Sequence, residues 1–336
     1  MAEASSFPAA GAPVRLGLHR FAVATAAATL CLIVAGGLVT STESGLSVPD
    51  WPTTYGQNPF TFPVAKWVGG IRFEHIHRLI ASTVGLLTIV LAIWLARREP
   101  RRWVRRLGYA AVSAILAQGV LGGLTVLLLL PTAISVAHAC LAQTFFCLTV
   151  TIAVVTSPRW KQRFAVPRRI PFAANGVART AAATAAMLFL QLLIGAVMRH
   201  TKAGLAIPDF PLALGRVIPP LDTFAVTIHF AHRIGAVAVA VLVAACVVAA
   251  WRSNRSGLKK SSLWLAGLAI LQIALGAFTV VTRKSVPVTT AHVAAGAVLL
   301  GSTLALCLWS LAAECLRNNV VPIRGAALAG KASGWK

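Results

Sequence analysis

Residues 73–102 read FEHIHRLIASTVGLLTIVLAIWLARREPRR, an apolar run that opens on Glu74, His75 and His77 and closes on arginines. Its apolar part, about 75–96, is long enough to cross a hydrocarbon core ~30 Å thick. Comparable runs occur at roughly 20–40, 107–130, 133–156, 178–199, 226–251, 262–282 and 288–312, so the sequence predicts eight spans. With 57% hydrophobic and 12% charged residues among 336, the chain has too little polar surface for a soluble globule. The first run is about twenty residues long and lacks a small-residue cleavage site, which marks a retained helix rather than a cleaved signal peptide.

The formal net charge is +23, yet the basic residues are not gathered as a nucleic-acid-binding face would require. They sit in blocks between apolar runs. Arg97, Arg98, Arg101, Arg102, Arg105 and Arg106 follow span 2, and Arg159, Lys161, Arg163, Arg168 and Arg169 follow span 4. Arg252, Arg255, Lys259 and Lys260 follow span 6. Retention of Lys and Arg on the cytoplasmic side puts these loops and both termini inside. The turn near Pro131 and the segments 41–73 and 200–225 then lie outside. Cys31, Cys140, Cys147, Cys246, Cys307 and Cys315 form no CxxC or metal-ligand spacing, and no structural disulfide is expected.

The chain repeats itself. Gly45-Leu46-Ser47-Val48-Pro49-Asp50-Trp51-Pro52 returns as Gly204-Leu205-Ala206-Ile207-Pro208-Asp209-Phe210-Pro211. His77-Arg78 returns as His232-Arg233, Gln118 with Leu121-Gly122 as Gln272 with Leu275-Gly276, and Ala137-His138 as Ala291-His292. This divides the chain into a tail (1–19), a first four-helix half (20–156), a basic linker (157–177), a second half (178–312) and a C-terminal tail (313–336). Four spans per half send the second half into the membrane in the same direction as the first. A parallel repeat, with its axis along the membrane normal, is expected.

An ionisable residue inside a span costs several kcal/mol unless paired or used. His77 and His232 fall just inside the outer ends of spans 2 and 6, and His138 and His292 just inside those of spans 4 and 8. A lone histidine in an apolar helix is more often a satisfied core residue, but four at one depth in duplicated positions argue against coincidence. Two imidazoles on neighbouring helices in each half suit bis-histidine haem ligation in a bundle. Zinc wants about four protein ligands, and each half supplies two. His19 and His200 read as loop or helix-end residues, and His75 as structural.

Arg78 and Arg233 directly follow predicted ligands and could meet haem propionates or snorkel to the interface with equal ease. Glu74 lies one turn before His77, where the second half has His229. That asymmetry points to divided labour: a carboxylate beside one haem pocket can move protons, although an ordinary N-terminal glutamate is favoured by the helix dipole. The Pro-Asp-Trp-Pro and Pro-Asp-Phe-Pro segments fit lids over a haem edge nearly as well as interfacial turns.

Over nearly all eight spans the sequence resembles haem A synthase. The resemblance rests on Glu74-His75-Ile76-His77-Arg78, Thr42-Glu43-Ser44-Gly45-Leu46-Ser47, the two Pro-Asp-aromatic-Pro segments, Arg199-His200-Thr201, His232-Arg233 and the two Ala-His pairs. It implies an oxidoreductase that converts a methyl group of haem O, by successive hydroxylations, to the formyl group of haem A for terminal oxidases. The substrate haem would sit on His77 and His138, a permanent haem b on His232 and His292, and Glu74 would be catalytic. Some members carry a cysteine pair where this chain has Val48 and Thr54, so electrons would come from a quinol or another membrane donor. Haem O synthase and a second copy of the chain are further expected partners. Two other readings remain at this stage: a di-haem cytochrome b that only relays electrons, and a haem carrier without turnover.

Overall fold

The computed structural model describes residues 16–163, 175–253 and 255–317, and for Arg163 and 312–317 the backbone alone. Expectations for residues 1–15, for Arg168 and Arg169, for the side chain of Cys315 and for the tail after 317 lie outside the described residues. Nine α-helices are described: α1 (Leu16–Ser41), α2 (Gly69–Arg98), α3 (Arg102–Leu127), α4 (Thr132–Thr156), α5 (Pro158–Arg163), α6 (Gly176–His200), α7 (Phe224–Arg252), α8 (Ser256–Val281) and α9 (Val286–Arg317). All but α5 are long and apolar enough to cross a membrane, and the protein is a multi-pass, all-α membrane protein. Its outward surface fits that solvent, with Ile270 71%, Val241 62% and Leu116 61% exposed.

In the first half α1 packs on α2, α2 on α3, α3 on α4 and α4 back on α1; α6, α7, α8 and α9 close the same ring in the second half. Between the halves α1 meets α9, α4 meets α6 and α4 meets α9. Exchanging each helix for its counterpart leaves this list unchanged, an arrangement compatible with the repeat read from the sequence. The junction is tight because small residues on α9 admit large ones from α4. A Cβ on Gly301 would lie 2.8 Å from the Phe146 ring, and Phe146 packs with Ile33 and Ala297.

The helices differ from the apolar runs at their ends. Span 3 ends at Leu127 rather than 130, because Leu129 and Leu130 turn into the left-handed region (φ 59° and 61°). The Leu130 amide donates to the Thr125 carbonyl at 2.7 Å, a Schellman-type stop. Lys284 and Thr279 repeat that bond at 2.7 Å. Hydropathy cannot see a turn built from leucines.

The basic linker opens with α5, which the sequence reading did not foresee. Pro158 suits a first helical position, and the Ser157 hydroxyl accepts the Trp160 amide at 3.2 Å. Trp160 meets Trp309 of α9 edge-on, centroids 5.9 Å apart.

Glu99, just past α2, has a fully buried side chain that pairs with Arg101 (2.7 Å) and Lys161 (3.4 Å). Burial opposes its ionisation, but the Arg101 hydrogen bonds and charge, with Lys161, outweigh it and hold the carboxyl below its ordinary value near 4.5. A carboxyl depressed on folding contributes stability above its unfolded pKa and loses it as pH falls through the folded one. Glu99→Gln should therefore lower stability by about 1–2 kcal/mol at neutral pH, discounting for the partly exposed cations. Thermal unfolding in detergent checks this, and the gap to wild type should close below pH 4.5.

Candidate functional site

The four histidines occupy matched places. His77 and His232 each lie eight residues after the first residue of their helix, and His138 and His292 each lie six after theirs. With a rise of 1.5 Å per residue these are depths of about 12 and 9 Å below the same end of the bundle.

Each imidazole rests on a glycine of the preceding helix. A Cβ would lie 3.1 Å from His77 Cε1 on Gly36, 3.1 Å from His138 Cε1 on Gly122, 2.9 Å from His232 Cε1 on Gly195 and 3.2 Å from His292 Cε1 on Gly276. Any other residue would push the ring away, so the glycines fix its position. Two of them, Gly122 and Gly276, stood in the Leu-Gly repeat of the sequence without being assigned a task; Gly36 and Gly195 had no such signal.

All four residues are only partly buried, so each ring keeps an open edge. His232 and His292 face one another with centroids 6.4 Å apart at 69°. Two imidazoles on opposite sides of one metal, each with a bond of about 2 Å and a ring radius of about 1 Å, would stand roughly 6 Å apart. The His292 Nδ1 sits 3.2 Å from the Gln272 carbonyl; a proton on Nδ1 leaves the Nε2 lone pair for a metal. In the first half the Nδ1 atoms of His77 and His138 are buried and without a partner among the described residues. No group of three His, Cys, Asp or Glu converges among the described residues. Each half thus offers two imidazoles, a donor set that would suit a metal already held by a macrocycle and is too small for zinc.

The second half ties its histidine down. Gln191 lies 3.1 Å from His232 Nδ1 and donates to the His232 carbonyl at 2.6 Å. Space for it comes from Gly235, whose Cβ would collide with the Gln191 carboxamide. The corresponding residues of the first half are Leu32 and Ile80, and that sphere is apolar.

Above the histidines lie the two duplicated loops. Arg78 donates to the carbonyls of Asp50 (2.7 Å), Thr53 (3.0 Å) and Val48 (2.8 Å). Arg233 does the same to Asp209 (2.7 Å), Ile207 (3.0 Å) and Leu212 (2.8 Å). The four terminal N–H groups of Arg78 are thus spent on the loop and on Glu74 and three of the four of Arg233 on its loop, and Nε of each remains for any propionate. Each loop then turns back through an aspartate. Burial opposes ionisation of Asp50, but the amides of Gly56 and Tyr55 and the Thr53 hydroxyl prevail and lower its pKa. The Gly215 and Leu214 amides lower that of Asp209. Gly56 and Gly215, both at φ 72°, permit these turns.

Glu74 is 3% exposed. Its carboxylate pairs with Arg78 at 2.7 Å and accepts the Val48 amide at 2.8 Å. His229 takes the same place in the second half, accepting the Ile207 amide at 3.2 Å. The position latches a loop in both halves, and only the first half uses a carboxylate for it. Beside it, Trp51 lies on Gly123, next to the glycine that seats His138; the second half has Ala277 there. His75 is fully buried between Phe62 (5.2 Å) and Trp67 (4.8 Å), a structural role. His19 contacts the Ala153 carbonyl at 3.0 Å, and the His200 carbonyl accepts from Thr132 at the end of α6.

Eight spans in two rings of four, each with two imidazoles at matched depth below a latched loop, define a helical membrane protein of the paired-histidine type. The sequence profile of the cytochrome oxidase assembly protein family matches residues 19–304, and the chain belongs to that family. Among its curated relatives are haem A synthases of Symbiobacterium thermophilum (30% identical, covering 77% of this chain and 84% of the relative) and Halalkalibacterium halodurans (28%, 82% and 92%). A third, from Rhodopseudomonas palustris, is 29% identical over 86% of this chain and 89% of its own length.

Proposed function

We propose that the protein is a haem A synthase of the bacterial inner membrane, an oxidoreductase that turns a methyl group of haem O into a formyl group. With dioxygen as oxidant and two electrons and two protons from the membrane donor at each turn, two successive hydroxylations of the methyl carbon, each inserting one oxygen atom and releasing one water, followed by loss of water from the resulting gem-diol would give the aldehyde. The observation that carries this reading is the pairing of two duplicated imidazole sites that differ in their surroundings. On His232 and His292, held at 6.4 Å with Gln191 bracing one ring, we place a permanent haem b. His77 and His138, with no partner for Nδ1 among the described residues, receive haem O.

Bound haem supplies one-electron and oxygen chemistry; the chain binds, orients and shields it. The glycine seats aim the rings, Trp51 covers the first site, and Glu74 holds or moves a proton there. Arg78 and Arg233 act first as loop clamps, with Nε available to a propionate. Positive-inside reasoning puts the sites on the extracytoplasmic side, with both termini in the cytoplasm. A quinol or another membrane donor would bring electrons, haem O synthase would deliver the substrate, and mass measurement in detergent tests for a second copy of the chain. A pure electron relay has no use for a carboxylate in one half alone.

The test is to purify the protein from a host that also makes haem O and to identify its porphyrins by chromatography and mass spectrometry. Haem b together with haem A or a hydroxylated haem O is expected; haem b alone would transfer the assignment to an electron relay. Gly195→Ala should weaken haem b retention by about 1–3 kcal/mol, because the ring must leave its seat. Gly267→Ala, where nothing lies within 4 Å, is the control, and haem-loss rates compare the two.

A further inference from the structure

A serine or threonine inside an apolar helix commonly returns its hydroxyl to the carbonyl one turn back. The spans follow that habit: Thr25, Thr88, Thr144, Thr184 and Thr303 each donate to the carbonyl four residues earlier. Among the described residues two buried hydroxyl oxygens have no partner, those of Ser135 and Thr289. They are counterparts in the repeat. Each is the fourth residue of its helix, α4 or α9, and each stands three residues before a histidine, His138 or His292.

The carbonyl one turn back is present in both cases. Pro131 accepts the Ser135 amide at 2.9 Å and Ser285 accepts the Thr289 amide at 3.0 Å, yet neither hydroxyl turns to it. Ser135 is 4% exposed, and a buried hydroxyl without an acceptor is costly. That the same atom is left over at the same place in both halves makes a packing accident a poor explanation. Residues three apart on a helix are neighbours on one face, so each hydroxyl flanks the imidazole that follows it, about 4.5 Å nearer the outer end.

The surroundings say what the acceptor is. Both hydroxyls lie in the first turn of a long helix, where the dipole favours an anion, and a carboxylate is the strongest acceptor a hydroxyl can meet. The outer end is also the polar end of each site, the end to which a macrocycle with one acidic edge turns that edge. We infer that Ser135 and Thr289 each donate a hydrogen bond to a propionate of the haem held by the neighbouring histidine. The inference rests on the haem reading above and adds to it a donor on α4 and another on α9. Arg78 and Arg233, whose terminal N–H groups serve mainly the loops, then share the acidic edge with these hydroxyls rather than holding it alone.

The full-length protein is purified from a host that makes haem O, so that haem b marks the second site and haem O with its oxidised products the first. Excess apomyoglobin captures released haem, chromatography times the loss of each porphyrin, and resonance Raman spectra of the holoprotein record the propionate bending band. Thr289→Val keeps the side chain's shape without its hydroxyl; it should speed loss of haem b about tenfold and shift the band, while haem O is unaffected. Thr289→Ser returns the hydroxyl and should restore both readouts. Ser135→Ala should speed loss of haem O about tenfold with haem b unaffected, and Ser135→Thr should behave as wild type. Unchanged loss in both Thr289→Val and Ser135→Ala would mean that the hydroxyls hold no more than water and would overturn the inference. Faster loss with an unmoved band would overturn the propionate as their partner. A wild type that holds no haem would fail the haem reading itself, a result visible before any variant is made.

Discussion

His232→Ala and His292→Ala are each expected to abolish retention of haem b, with loss of its absorbance from the purified protein. The partner left behind is a single imidazole in a site built for two. Disturbing a group that merely orients a metal ligand costs about 10–100-fold in affinity, and removing the ligand must exceed that. His77→Ala should leave the haem b signal in place while conversion of haem O stops. The pair of results separates the halves: a spectrum unchanged in both second-half variants would show that these imidazoles hold no haem. Loss of all haem in His77→Ala would show that the two sites are not independent.

Substitution of Glu74 should have the next largest effect, and the repeat supplies the most informative replacement. His229 already performs the latching task at the equivalent place, accepting the Ile207 amide as Glu74 accepts that of Val48. Glu74→His therefore keeps an acceptor for the loop while removing the carboxylate. If Glu74 handles a proton during the reaction, conversion should fall by about 10²-fold or more with haem content preserved. Glu74→Ala removes the latch as well, leaving Arg78 beside an unfilled site, and should add a loss of stability of about 1–3 kcal/mol. Full activity in Glu74→His would reduce the residue to a fastening of the loop.

The placement of Arg78 shows how far a one-dimensional reading reaches. Its position after a histidine near the membrane surface suggested a partner for propionates, and the residue type suits that task. The structure turns its terminal nitrogens to three carbonyls of the preceding loop, 25 to 30 residues earlier in the chain. Nothing in the local sequence encodes that choice; the duplicate, Arg233, makes the same one and confirms it as a property of the fold. The glycine seats were half legible. Gly122 and Gly276 recurred beside Gln118 and Gln272, but recurrence alone does not say which side chain a glycine admits.

What the sequence determined by itself was set by solvent. A hydrocarbon core tolerates only long apolar helices and exacts a high cost for ionisable groups, so eight spans and four out-of-place histidines can be read one residue at a time. The internal repeat then paired them. Tertiary structure alone decided which atoms meet: the ring edges seated on Gly36, Gly122, Gly195 and Gly276, and the meeting of Gln191 with His232 over Gly235 where the first half has Leu32 and Ile80. Those are contacts between helices distant in sequence, fixed by close packing at the scale of a single methyl group, and hydropathy carries no information at that scale.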